Sequence, residues 1–173
     1  MSATAVVDYG LCNLDSVCRA VEECGGLPQV CTAPEDLLAA DRLILPGVGA
    51  FPAAMENLRE RGLVEGILSC VEKKTPLLGI CLGMQLLADF GTEVGKIEGL
   101  GVVPGTVKRL EPKPAGERLP HMGWNQVEER DDCPLFRDIP ADKDFYFVHS
   151  FHFQCDDPAN IAATTPYCGG FVS

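Results

Sequence analysis

The sequence predicts an α/β fold, a mostly parallel sheet flanked by helices with a smaller antiparallel or mixed portion. Three observations carry this expectation. Short apolar runs alternate with helical-period segments over residues 3–80, glycine or proline punctuates each switch, and after Phe90 the texture turns glycine-rich and strand-like. Strands alternating with helices imply parallel pairing with right-handed crossovers.

Residues 3–7, Ala-Thr-Ala-Val-Val, suit a strand buried on both faces. Asn13 stands where it can cap a helix in which Leu14, Val17, Cys18 and Val21 recur at i, i+3, i+4 and i+7. Gly25-Gly26 ends that helix. Residues 29–31 read as a second strand, and Thr32-Ala-Pro-Glu35 has the capping-box spacing that opens a short helix. Leu43-Ile-Leu45 reads as a third buried strand ending at Pro46-Gly-Val-Gly49. Pro52 falls in the first turn of a helix running toward Gly62. A further helix covers residues 63–72, residues 77–80 form a fourth strand, and residues 82–90 carry a helical pattern. Beyond them, residues 95–107 are β-like, residues 111–120 form a Pro-rich surface loop, and residues 124–128 and 144–154 read as strands. The alternation Phe145, Phe147, His149, Phe151, Phe153 is expected to be one sheet face packed on apolar neighbours.

With 173 residues, the chain is read as a single domain, 1–173, and a hydrophobic fraction of 46% supports a substantial core. A net charge of −11 argues against nucleic acid or an anionic membrane as partner, since both need a basic surface. The nine cysteines are odd in number, without C-x-x-C spacing and without a leader-like N-terminus, which suits free thiols in a reducing cytoplasm. No apolar stretch approaches the length that spans a bilayer.

One motif carries chemistry. Gly79-Ile-Cys-Leu-Gly83 follows a short apolar strand and opens a helical pattern, the strand–turn–helix context of a nucleophile elbow. Small residues around Cys81 permit a tight turn that lifts the thiol out of the sheet. The helix N-terminus behind it offers N–H groups and a positive dipole end, expected to lower the thiol pKa and stabilise an oxyanion. A buried structural cysteine at a strand end is the competing reading. His149 and His152 hint at metal, but no third ligand recurs nearby, so neither a metal nor a cofactor is expected.

The run Gly79-Ile-Cys-Leu-Gly-Met-Gln-Leu-Leu87 resembles the signature of the class I (triad) glutamine amidotransferases. Val7-Asp-Tyr-Gly10 with Asn13-Leu14, Pro46-Gly-Val-Gly49 with Phe51, Pro120-His-Met-Gly-Trp-Asn125 and Phe145-Tyr-Phe-Val-His-Ser150 are similar to the glutaminase subunits of imidazole glycerol phosphate synthase. The resemblance implies that Cys81 attacks glutamine, and that Leu82, with Gly47, Val48 or Gly49 after a reorientation of their strand, forms the oxyanion hole. It implies that Gln85 reaches the substrate's head group and that the backbone of Val148, His149, Ser150 and Phe151 holds its other end. Asn13, Met122 and Trp124 would face a cyclase partner, a (β/α)8 barrel that receives ammonia.

Two departures from the family pattern stand out. Leu11 and Cys12 occupy positions that are usually small. The late His-Pro-Glu turn that supplies the triad base and its orienting glutamate does not occur in residues 1–173, and His121, His149 and His152 map to other family positions. The expectation is a chain truncated before that turn and inactive by itself. Two alternatives remain: an ammonia donor to a sugar-amidating partner in surface-polysaccharide synthesis, and a catalytically dead docking subunit.

Overall fold

A computed structural model describes residues 3–113, 116–130, 133–140 and 143–173. Residues 114 and 115 of the Pro-rich loop lie outside the described residues. The chain divides into two compact units, Met1–Val102 and Val103–Ser173.

The first unit is built on a parallel sheet of strands β1 (Ala3–Val7), β2 (Leu27–Cys31), β3 (Arg42–Leu45) and β4 (Leu77–Gly79), in the order β2-β1-β3-β4. Ala5, Val6 and Val7 have no exposed surface, as a strand covered on both faces requires. Helix α1 (Leu14–Glu23) begins at Asn13, whose side-chain oxygen accepts the Ser16 N–H at 3.4 Å. It ends where Gly25 turns at φ +76°. Its predicted apolar face, Leu14, Val17, Cys18 and Val21, is half-buried throughout.

Helix α2 (Pro34–Leu37) follows β2, but its cap is Ala33 with no side-chain bond. The capping box expected at Thr32 does not form, because Pro34 starts the helix one residue later and needs no N–H there. Helices α3 (Phe51–Glu60) and α4 (Leu63–Glu72) fall where expected, separated by Gly62 at φ +66°. They bury Phe51, Met55, Leu58, Leu63 and Ile67. Each fully buried large side chain of this kind is worth roughly 1.5–3 kcal/mol.

After β4 the helix α5 is one turn, Leu82–Gln85, rather than the nine-residue helix the pattern over 82–90 predicts. The backbone leaves the helix because the carbonyls of Leu86, Leu87, Ala88 and Asp89 accept from the N–H groups of Leu100, Val102, Gly101 and Gly99 at 2.8–3.0 Å. Tertiary pairing thus overrides helical periodicity. The ribbon of β5 (Phe90–Gly91) and β6 (Ile97–Glu98) pairs antiparallel in this stretch.

The second unit is antiparallel. Strand β7 (Gly105–Arg109) pairs with β11 (Phe151–Cys155), β8 (His121–Gln126) with β10 (Asp144–His149), and β12 (Ala163–Thr165) with both β9 (Glu128–Glu129) and β13 (Phe171–Val172). The alternation from Phe145 to Phe153 is therefore not one sheet face. The chain turns at Ser150, so Phe145, Phe147 and His149 belong to the β8 pairing while Phe151 and Phe153 belong to the β7 pairing. Among the described residues no helix is long and apolar enough to cross a membrane.

Candidate active site

Strand β4 ends at Gly79 and the chain enters α5 through Ile80 and Cys81. Cys81 takes φ 55° and ψ −116°, a conformation that costs a residue with a Cβ about 1–3 kcal/mol. Its neighbours hold it there. The Ile80 N–H donates to the Leu45 carbonyl at 2.9 Å, and the Met84 and Gln85 N–H groups donate to the Cys81 carbonyl at 3.1 and 3.2 Å. The flanking glycines have a steric cause. A Cβ on Gly79 would lie 2.6 Å from Met84 Cα, and one on Gly83 would strike the Leu45 carbonyl. Only glycine lets the turn pack this closely, and the turn presents Cys81 exposed to solvent.

The thiol is not pushed down as expected. Loss of water among its neighbours raises it above its ordinary value, and the Leu82 N–H, directed at the sulfur, draws it part of the way back. A single helical turn sums few peptide dipoles, while desolvation disfavours the thiolate. Exposure alone does not single out this cysteine either, because Cys24 is also exposed. The combination of an exposed thiol, a positive φ and the Leu82 N–H does.

Next to the elbow runs the segment after β3. Pro46 and Gly47 are buried, and Val48 and Gly49 are exposed. The Tyr9 hydroxyl donates to the Pro46 carbonyl at 2.8 Å. A Cβ on Gly47 would collide with that hydroxyl and lie 3.0 Å from Leu82 Cβ, so the strand end and α5 touch only because residue 47 has no side chain. Burial, with the nearby Cys12 and Cys81 thiols, holds the Tyr9 phenol well above its ordinary pKa, so it stays a donor. The Val48 N–H is committed to the Leu11 carbonyl at 2.8 Å, and Gly49 has φ +110°. The loop that makes both contacts is anchored by α3, through Asn57 Nδ2 on the Tyr9 carbonyl at 2.9 Å and Arg61 Nη1 on the Asp8 carbonyl at 3.2 Å.

In the second unit, β8 and β10 form a two-stranded sheet with two different faces. One face carries Met122, Trp124, Tyr146 and Val148, which are 62%, 71%, 54% and 53% exposed. Trp124 lies opposite Tyr146, with ring centroids 5.5 Å apart, and Met122 opposite Val148. The other face carries His121, Phe147 and His149. His149 Nδ1 lies 2.9 Å from the Phe151 carbonyl, and its Nε2 lies 3.1 Å from His121 Nδ1. No group of three or more His, Cys, Asp or Glu side chains suited to a metal occurs among the described residues.

The structure thus brings Cys81, Leu82, Gln85, Gly47 and Val48 together, and sets Met122 and Trp124 side by side with Val148. Three residues were missed. Tyr146 and Val148 share the face opposite Phe145 and Phe147, so the same period-two alternation could have placed Tyr146 beside Trp124. His121 as partner of His149 and Tyr9 as partner of Pro46 are long-range pairings with no local signal.

A strained cysteine at a strand–helix turn, with the Leu82 N–H beside its sulfur, is the arrangement a nucleophilic hydrolase or transferase site requires. The family model described as glutamine amidotransferase class-I matches residues 5–167, and the chain belongs to that family. Among curated relatives, the imidazole glycerol phosphate synthase subunit HisH of Acaryochloris marina is 47% identical over 168 residues, covering 96% of this chain and 78% of the relative. The subunit HisH of Moorella thermoacetica is 47% identical over 167 residues, with the same coverage. Campylobacter jejuni subunit HisH 1 is 44% identical over 170 residues, 98% of this chain and 84% of that protein. Among solved structures, PurLQS from Thermotoga maritima superposes with a TM-score of 0.70 at 20% identity, covering 96% of this chain and 76% of that one, a likeness of fold.

Proposed function

We infer that this chain is the glutaminase subunit of imidazole glycerol phosphate synthase, hydrolysing glutamine to glutamate and ammonia that passes to a cyclase subunit in histidine biosynthesis. The Cys81 elbow is the observation that carries the chemistry, and the HisH relatives carry the pathway. Cys81 Sγ adds to the glutamine carboxamide carbon, the C–N bond breaks as the nitrogen gains a proton and leaves as ammonia, and water hydrolyses the glutamyl thioester. The oxyanion takes the Leu82 N–H as one donor and, once its bond to Leu11 opens, the Val48 N–H as another. Gly47 stands on one side of the Gly47–Val48 peptide that must turn, and glycine tolerates the new torsions. Gln85 meets the substrate's head group, and the backbone of Val148, His149, Ser150 and Phe151 holds its other end.

Residues 1–173 supply neither the histidine base nor its glutamate in this reading, and the curated relatives are longer than the part matched here. A polypeptide of residues 1–173 alone is therefore without turnover. The two compact units are read as parts of one amidotransferase domain, since the family match runs across both. The partner is a (β/α)8-barrel cyclase bound as a heterodimer in the cytoplasm. Met122, Trp124, Tyr146 and Val148 supply an apolar docking face, and Asn13 belongs to a partner-facing loop. Co-purification of the complete gene product with the cyclase, with glutamate release assayed in the complex, tests this: a stable complex that turns over glutamine is expected, and a stable complex that releases none would overturn it.

A further inference from the structure

We propose that His121 and His149 form a neutral imidazole relay whose job is to position the Ser150 corner for substrate. The proposal rests on the glutaminase reading, in which the backbone of residues 148–151 holds glutamine. It is carried by three hydrogen bonds whose directions follow from one another. The Phe151 carbonyl can only accept, so the proton of His149 sits on Nδ1, 2.9 Å away. His149 Nε2 is then a lone pair, and it accepts from His121 Nδ1–H at 3.1 Å. His121 Nε2 in turn accepts from Asn125 Nδ2 at 3.3 Å. Asn125 cannot reverse its amide at no cost, because its Oδ1 already accepts the Gln126 N–H at 2.9 Å. Every polar atom of the relay is satisfied only when both rings are neutral.

The rings are also held in place by packing. His121 is 4% exposed, stacked on Tyr167 at a centroid distance of 4.0 Å and flanked by Phe147 and Phe171 at 5.2 and 5.5 Å. His149 meets Phe171 edge-on at 4.6 Å. The end of the relay lands one residue beyond the turn where β10 leaves one sheet and β11 joins another. The Ser150 carbonyl is separately held by the Leu110 N–H at 2.9 Å. The relay thereby holds the Phe151 carbonyl while the Leu110 N–H holds the Ser150 carbonyl, so both peptides that leave the Ser150 corner are fixed.

A second proton on either ring turns an acceptor into a donor that faces another donor. Burial lowers both imidazoles, His149 lowers His121 further, and Glu117 opposes this by raising it. Nearby, His152 is lowered by burial, His149 and Lys108 against the raising effect of Glu111. The relay is therefore intact at neutral pH and breaks only in acid, below the ordinary imidazole range.

The test uses the complete gene product in complex with its cyclase. His121→Phe keeps the ring stack but removes both nitrogens. The expected result is a glutamine KM raised about five- to tenfold with kcat within about twofold, the effect of losing one buried hydrogen bond. Wild-type KM should rise only as pH falls toward the lowered values of the two rings, beneath the ordinary imidazole value of about 6.5, and the variant's KM should be high and flat. His121→Asn, which restores a donor near Nδ1, should recover part of the loss. Asn125→Leu, a milder change should His121→Phe misfold, should raise the pH at which KM begins to climb. Normal turnover in which these variants leave KM and its pH profile unchanged overturns the relay. A wild-type complex that releases no glutamate overturns the glutaminase reading, and the positioning role falls with it.

Discussion

Val48 donates its N–H to the Leu11 carbonyl at 2.8 Å, while Tyr9, two residues before Leu11, holds the Pro46 carbonyl at the same distance. One loop therefore fixes the peptides on both sides of Gly47. In this state the Val48 N–H is unavailable to an oxyanion, and the proposed mechanism requires a rotation of the Gly47–Val48 peptide to release it. Gly49→Ala meets no steric obstacle, since nothing lies within 4 Å of the new Cβ, but its φ of +110° is strained for any L side chain. The prediction is a resting fold destabilised by roughly 1–2 kcal/mol of backbone strain. Thermal unfolding should read this as a Tm lowered by several degrees, and an unchanged Tm would contradict the torsion described.

The elbow predicts which thiol glutamine chemistry reaches. Cys24 and Cys81 are both exposed, so a simple alkylating agent should modify both. An electrophilic glutamine analogue should instead mark Cys81 in the complete gene product, because there a solvent-exposed cysteine, a strained turn and the Leu82 N–H coincide beside the Gly47–Gly49 segment. Peptide mapping decides it, and preferential labelling of Cys12 or Cys168 would remove Cys81 from the mechanism.

Gly83→Ala probes the turn itself. Its Cβ would run into the Leu45 carbonyl, an atom of strand β3 that cannot swing aside. Overpacking of this kind costs about 1–3 kcal/mol. Thermal unfolding should show a Tm several degrees lower, and an unchanged Tm would mean that β3 and α5 are not in the contact described.

The exposed β8–β10 face predicts the energetics of docking. Aromatic anchors dominate interfaces, with truncations often costing 2 kcal/mol or more. Trp124→Ala and Tyr146→Ala should each weaken cyclase binding on the order of 30-fold. Together they should give less than the sum of two separate losses, because the rings touch. Calorimetric titration measures this, and a double variant of native affinity would place the interface elsewhere.

Acid should destabilise the second unit. His121, His149 and His152 are all held below the ordinary imidazole value, chiefly by burial. The unfolded chain therefore binds more protons than the folded one once the pH drops past about 6.5. The stability these groups contribute is present above that pH and is lost as it falls toward their folded values. Each histidine adds at most about 1.4 kcal/mol per pH unit. Unfolding followed between pH 7.5 and 5 should show the loss, and His152→Leu should lessen it.

Much of this was legible in the sequence because the signals are local. The first unit's strands and long helices follow from short apolar runs, Asn13 as cap, Pro52 in a first turn and glycines at the exits. Gly79 and Gly83 mark the elbow because packing forbids a Cβ at either. The failures have a common physical origin. Helical periodicity over residues 82–90 lost to backbone pairing with residues 99–102, and the aromatic alternation ran through Ser150 although the sheets part there. The thiol was expected low because a helix N-terminus favours a thiolate, but α5 is too short to outweigh desolvation. Class I membership rested on motif order along nearly the whole chain, and the family match over residues 5–167 bears that out.

The most direct test is the transfer of nitrogen itself. Glutamine labelled with 15N at the amide is supplied to the complete gene product in complex with the cyclase and the cyclase's nucleotide substrate. Glutamate and labelled cyclase product are then quantified together. The account predicts stoichiometric glutamate release and incorporation of the label. It also predicts complete loss of both in Cys81→Ala, with free ammonia still driving the cyclase in that variant. Labelled product formed by Cys81→Ala from glutamine, at a rate near the wild type, would contradict it.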